Sequence, residues 1–123
     1  MTAAQVISRV DDLSPNYYTT AQKLGWLAAL DGKIYEEVIL THEDSDDVEY
    51  DPDDYASTTV DLIVQPPYAD DLYCHYLCSR IAAANSEIAK YDQFATMFNT
   101  AYGEWTGWYN RHHMPLKKGR WVL

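Results

Sequence analysis

From Cys74 to Tyr109 an apolar or small residue recurs at alternating spacings of three and four. The positions are Cys74, Leu77, Ile81, Ala84, Ile88, Tyr91, Ala95, Phe98, Tyr102, Trp105 and Tyr109. This is the period of one face of an α-helix, and no proline interrupts residues 68–114. The C-terminal half is therefore constrained to be helical. One straight helix of that length would exceed about 60 Å at roughly 1.5 Å per residue, more than a single small domain can cover. The pattern predicts a break or hairpin near Lys90–Asp92, with Asp92 as the N-cap of the following helix. A long kinked helix is the alternative.

The N-terminal half carries two helix starts. Thr2 and Gln5 have capping-box spacing, and Val6, Val10 and Leu13 share a face with Ile7 beside it. Ser14-Pro15-Asn16 ends that helix. Thr19 and Gln22 repeat the box and open a second helix predicted to run to about Thr41. Its apolar stripe is Leu27, Leu30, Ile34 and Val38, widened by Trp26 and Tyr35. Gly25 and Gly32 each cost about 1 kcal/mol of helix propensity relative to Ala. The pair predicts close packing against a neighbour, with a turn at Asp31-Gly32 as the alternative.

Between Glu43 and Asp54 eight of twelve residues are acidic, Val48 is the sole aliphatic one, and Pro52 interrupts the run. Such a segment repels itself and is predicted to be a solvated loop. Val60–Val64 then reads as a short strand ended by Pro66-Pro67, pairing with residues around Val48–Tyr50 or across a subunit boundary. The predicted fold is mainly α, a small bundle of about four helices with one short β-strand or hairpin. Residues 1–112 form the helical domain, with an acidic loop at 43–57. Residues 113–123 form an extended basic tail in which Lys117, Lys118 and Arg120 precede Trp121-Val122-Leu123.

Nineteen acidic against nine basic residues give a net charge of −10, which argues against nonspecific binding to nucleic acid or anionic lipid. No uncharged run approaches the roughly 20 residues of a membrane span, and no basic, apolar leader opens the sequence. Cys74 and Cys78 lie four apart on one helical face and read as packed thiols of a reducing compartment. No catalytic constellation is evident. Counted from Asp44 or Asp46, the acidic run lacks the glycine and glutamate that a calcium-binding EF-hand loop requires. His112 and His113, adjacent on a helix, point about 100° apart and do not converge on one ion. No glycine-rich phosphate loop, nucleophile elbow or paired-carboxylate motif occurs, so no enzyme, metal or cofactor is expected.

Aromatic residues make up 14%, with eleven tyrosines and four tryptophans but only two phenylalanines. Tyr and Trp suit surfaces that a partner covers. Charge is also polarised. No acid follows Glu104, and Arg111, Lys117, Lys118 and Arg120 are four of the nine bases. Such asymmetry suits head-to-tail or hetero-assembly.

Several short runs carry a family resemblance: Lys23-Leu24-Gly25-Trp26-Leu27, Leu30-Asp31-Gly32, Pro67-Tyr68-Ala69-Asp70-Asp71-Leu72-Tyr73 and Tyr76-Leu77. They continue through Asn85, Glu87, Tyr91 and Phe98-Asn99-Thr100-Ala101-Tyr102 to Trp108-Tyr109-Asn110-Arg111. With this pattern the chain resembles, over most of residues 5–115, the head-to-tail connector (adaptor) proteins of long-tailed bacteriophages. It is most similar to those of phages and prophages of Gram-positive gut bacteria. The resemblance implies a structural virion protein of the neck, made in the host bacterial cytoplasm. It implies a homo-oligomeric ring of twelve copies beneath the portal protein, extending the DNA exit channel. The ring would offer a platform to a stopper or tail-completion protein and let double-stranded DNA pass without sequence-specific binding. Carried onto this sequence, the portal-docking element is Arg111, Lys117, Lys118 and Arg120, with Trp121 as apolar anchor. The acidic residues Asp44, Asp46, Asp47, Glu49, Asp51, Asp53 and Asp54 would face the lumen or the stopper. The alternative from another class is a small acidic phage protein that inhibits a host DNA-binding or defence protein.

Overall fold

Helix starts are where the sequence speaks most plainly. In the computed structural model, which describes residues 1–116, α1 spans Ala3–Leu13 and α2 spans Thr20–Ile34. Both open on complete capping boxes. The Thr2 hydroxyl oxygen accepts from the Gln5 N–H at 3.2 Å while Gln5 Oε1 accepts from the Thr2 N–H at 2.9 Å. Thr19 and Gln22 repeat the exchange at 3.1 and 2.9 Å. The helix of α2 continues through a π-helical turn, Tyr35–Ile39, so helical backbone persists nearly to Thr41 and no turn forms at Asp31-Gly32.

Four helices form the bundle, with α3 (Ala69–Ala84) at its centre, packed against α1, α2 and α4 (Ile88–His112). Its buried residues point to several sides: Leu72, Tyr73, Leu77 and Ile81 join Val6 and Val10 of α1 and Leu27 and Ile34 of α2 in one core. A helix covered on most sides carries little amphipathic signal. Cys74 and Cys78 are buried free thiols within it. Polar ties brace the first two helices. Lys23, only 3% exposed, donates to Asp11 at 2.7 Å and to Asn16 at 3.1 Å across the α1–α2 turn. Burial alone would raise the Asp11 carboxyl, but the hydrogen bonds from Lys23 and Asn16 and the Lys23 charge hold it below its ordinary value.

The helix break lies earlier than the sequence pattern predicts. It falls at Asn85–Glu87, not at Lys90–Asp92, and Asp92 sits inside α4 with its carbonyl accepting from Thr96. Ser86 takes the left-handed conformation (φ 60°), while the Asn85 and Ser86 N–H groups return to the Ile81 and Ala83 carbonyls. The Tyr18 hydroxyl then fixes the turn by donating to Asn85 Oδ1 at 2.7 Å. The break thus follows the left-handed backbone at Ser86, and Asp92 does not cap a helix. The resulting 25-residue α4 is about 37 Å long. From Ile88 to Thr100 none of its residues is buried, and Phe94 and Phe98 are half-covered, Phe98 against Tyr76 of α3.

Two further expectations are corrected. Val60–Val64 makes no strand, only one antiparallel bridge, Asp61 to Thr2. The Ala3 and Ala4 N–H groups donate to the Val60 and Thr58 carbonyls, and Leu62 N–H donates to the Met1 carbonyl. This partner turns helical at Ala3, so the ladder has nothing to extend along. The expected hairpin with Val48–Tyr50 is absent, and Tyr50 stacks on Tyr35, centroids 4.5 Å apart. Close packing at both α2 glycines is half right. A Cβ on Gly32 would lie 3.3 Å from the Tyr50 hydroxyl, whereas one on Gly25 would meet nothing within 4 Å. Gly25→Ala is therefore expected to stabilise the fold by about 1 kcal/mol. Gly32→Ala should give no such gain. Urea denaturation of the two variants checks this, and equal gains would contradict the packing described.

Candidate functional site: the acidic arm and the tail strap

The acidic segment is not a free loop. Tyr55, inside the acid run's second 3-10 turn (Pro52–Ala56), is buried and reaches a carboxylate in the middle of α2. That carboxylate is Asp31, fully buried, with no cation among its contacts. The Tyr55 hydroxyl donates to its Oδ2 at 2.5 Å and the Tyr73 hydroxyl to its Oδ1 at 2.6 Å. The Ile63 N–H donates to Oδ2 at 3.0 Å, and the Val64 N–H to the Tyr73 hydroxyl at 2.9 Å. One carboxylate thus ties the acidic arm, the extended segment after it, and α3 to α2. Burial raises the Asp31 carboxyl above its ordinary value, opposed by the Tyr55, Tyr73 and Ile63 hydrogen bonds. Burial first, and then the Asp31 charge, push both tyrosine hydroxyls far up, so each remains a donor.

With Tyr50 and Tyr55 held, the acids point outward. Asp44 (φ 64°) enters a first 3-10 turn, Ser45–Asp47, and Asp51 caps the second by accepting from the Asp53 N–H at 2.9 Å. Asp44, Asp46, Asp47, Glu49, Asp51, Asp53 and Asp54 are all exposed. Glu49, Asp51, Asp53 and Asp54 join Asp61 around an open hollow of about 660 Å³ floored by Tyr50 and Tyr55. Among the described residues no group of three or more His, Cys, Asp or Glu side chains could hold a metal ion.

A strap fixes the end of α4 to the base of this arm. Past His112 the chain runs antiparallel to Thr41–Glu43. The Glu43 N–H donates to the Met114 carbonyl, the Leu116 N–H donates to the Thr41 carbonyl, and His42 bridges Pro115. The His42 ring lies between the Val38 carbonyl (2.6 Å) and Asn110 Oδ1 (2.5 Å), its edge against the buried Tyr109. Tyr109 stacks on His113 at 4.2 Å, and His113 Nδ1 lies 3.3 Å from Asp44. His112 and His113 do diverge, His112 approaching the Trp108 carbonyl. The first four residues of the predicted extended tail, 113–116, are therefore strapped to the arm's base. Arg111 is exposed on the last turn of α4, while Lys117, Lys118, Arg120 and Trp121 lie outside the described residues.

The sequence reading missed Asp31, Tyr55 and Tyr73. A signal existed for the first. Asp31 stands four after Leu27 and three before Ile34, on the apolar stripe itself. No helix among the described residues is long and apolar enough to cross a membrane. No family model, curated protein or solved structure matches the chain.

Asp31 gives a signed pH dependence. An unfolded aspartate titrates near 3.9, and Asp31 titrates higher in the fold. Between those values the native state holds more protons. The carboxyl's contribution is therefore complete below the unfolded value and lost as pH rises through the folded one. Asp11 and Glu87, both lowered, act in the opposite sense. The stability advantage of wild type over Asp31→Asn should therefore grow as pH falls from neutral toward about 4, by about 1.4 kcal/mol per unit of elevation. Urea melts across that range measure it, and a pH-independent difference would count against a raised carboxyl.

Proposed function

We propose that the chain is a head-to-tail connector subunit of a long-tailed bacteriophage. It assembles as a ring, in twelve copies by the family resemblance, between the portal and a stopper or tail-completion protein in the virion neck. The observation that carries this reading is the strap. It holds the chain up to Leu116 beside the exposed acidic arm, and the sequence that follows Leu116 is basic with an apolar end, so one subunit carries two chemically distinct elements. The segment beginning at Lys117 would dock on the portal through Lys117, Lys118, Arg120 and Trp121, with Arg111 beside it. The acidic arm would face the lumen or the stopper. A wall carrying Asp44, Asp46, Asp47 and the acids that follow repels phosphate and lets DNA slide without sticking.

One observation favours a second reading. The carboxylates sit on an arm that Tyr50 and Tyr55 anchor to the bundle, and ordered carboxylates are what an inhibitor of a DNA-binding protein would need. That inhibitor would bind its target through the arm and would be indifferent to loss of the tail.

Mass photometry with the cognate portal ring separates the two. Full-length protein should add about a dozen copies to the ring, and a chain ending at Leu116, which keeps the strap, should add none. Failure of the full-length chain to associate at any salt concentration would overturn the connector reading.

A further inference from the structure

Two histidines outside the Asp31 network meet at the strap, both against the buried Tyr109 ring. His42 belongs to the stretch between α2 and the acidic arm, and His113 to the chain just past α4. The His42 ring faces Tyr109 edge-on with centroids 5.2 Å apart, and the His113 ring stacks on it at 4.2 Å and 21°. Each imidazole also faces oxygen. His42 Nδ1 lies 2.6 Å from the Val38 carbonyl and its Nε2 2.5 Å from Asn110 Oδ1. His113 Nδ1 lies 3.3 Å from an Asp44 carboxylate oxygen.

We propose that the strap is a proton-operated latch. With His42 and His113 protonated it holds residues 113–116 against the base of the acidic arm, and loss of those protons loosens it. Three features of the geometry give this sign. The first is the supply of protons to His42. A carbonyl and an amide oxygen only accept, so the ring donates to Val38 and Asn110 together only as an imidazolium. The neutral ring keeps one of the two bonds unless the Asn110 amide turns over.

The second is charge. A charged His113 forms an ion pair with Asp44, whereas the neutral ring offers a hydrogen bond alone. The other acids around the cluster act in the same direction. Burial, and then the charges of Asp44 and Asp47, push the Tyr109 hydroxyl up, so both acids are felt at the ring between the histidines. Glu43 lies in the strap itself, its Oε1 accepting from the Met114 N–H at 3.1 Å. Thr41 Oγ1, 3.0 Å from His42 Nδ1, is uncharged. The bases at this end of α4 turn back along the helix, Arg111 toward Gly107 and His112 toward the Trp108 carbonyl. The third feature is the stack, since a positive ring over the Tyr109 face gains an attraction that the neutral ring lacks. An imidazole changes charge between about pH 5 and 8, so the latch closes toward the lower end of that range and loosens toward the upper.

The latch uses only the strap and the base of the arm, and it stands whether or not the chain is a connector subunit. Hydrogen exchange of the full-length chain reads it through two strap amides, Glu43 donating to Met114 and Leu116 donating to Thr41. Taken as protection over the intrinsic rate at each pH, both should lose about fivefold or more between about pH 5.5 and 8. The buried amides of α3 around Leu77 should keep theirs. The double variant His42→Gln, His113→Gln should show no such pH dependence at the strap. Asn110→Asp, whose carboxylate has no donor to turn toward Nε2, should carry the strap's protection up to about pH 8. Strap protection that is independent of pH in wild type, or a pH dependence that persists in the double variant, overturns the proposal. If the double variant loses the strap at every pH, Asn110→Asp decides: protection no higher than wild type at the upper pH overturns it as well.

Discussion

A carboxylate removed from water without a cation beside it survives only if hydrogen bonds replace the hydration it lost. Asp31 meets that demand with donors from three other parts of the chain: Tyr55 of the acidic arm, Ile63 of the extended segment and Tyr73 of α3. None of these is local to α2. The carboxylate therefore acts as a register pin, because any other placement of the arm or of residues 61–64 would leave it unsatisfied in the core. The position of Tyr55 within the acidic arm follows from this one constraint.

The remaining order of the molecule builds outward from α3. Its small and apolar residues accept α1 on one side and α2 on another, and the Arg9–Asp70 and Lys23–Asp11 pairs trim the edges. Arg9 and Asp70 are exposed enough that their pair contributes little. Lys23 is different, since its ammonium is almost fully buried and its partners Asp11 and Asn16 cannot be lost cheaply. Along α4 an aromatic ladder of Phe98, Tyr102, Trp105 and Tyr109 carries this packing to the strap, where His113 and His42 close it. The excess of Tyr over Phe is partly explained here. Tyr55, Tyr73 and Tyr18 use both the ring and the hydroxyl inside the chain.

Both capping boxes, the helical character of α1 to α4 and the outward-facing acids were legible in the sequence, because each depends on neighbours within four residues. What was not legible depends on distant partners. The turn at Asn85–Glu87 is held by Tyr18, 67 positions upstream of Asn85, on a loop whose direction the sequence leaves open. Val60–Val64 has strand-like composition, yet the one bridge it makes among the described residues is to Thr2, where α1 begins, so composition alone misled. Tyr50 and Tyr55 were hidden by their surroundings. In a run of eight acids the charges dominate any reading, although two aromatics are enough to anchor it. The residues assigned to portal docking depend on a segment that is, apart from Arg111, beyond the described structure.

The central physical claim is that the acidic segment is a fixed arm held through Asp31, and native-state hydrogen exchange tests it most directly. The amides of Ile63 and Val64 donate to Asp31 and Tyr73 in the core. They should exchange only through global unfolding, as slowly as the buried amides of α3 around Leu77. Exchange of those two amides at rates typical of a solvated loop, while α3 stays protected, would contradict the account.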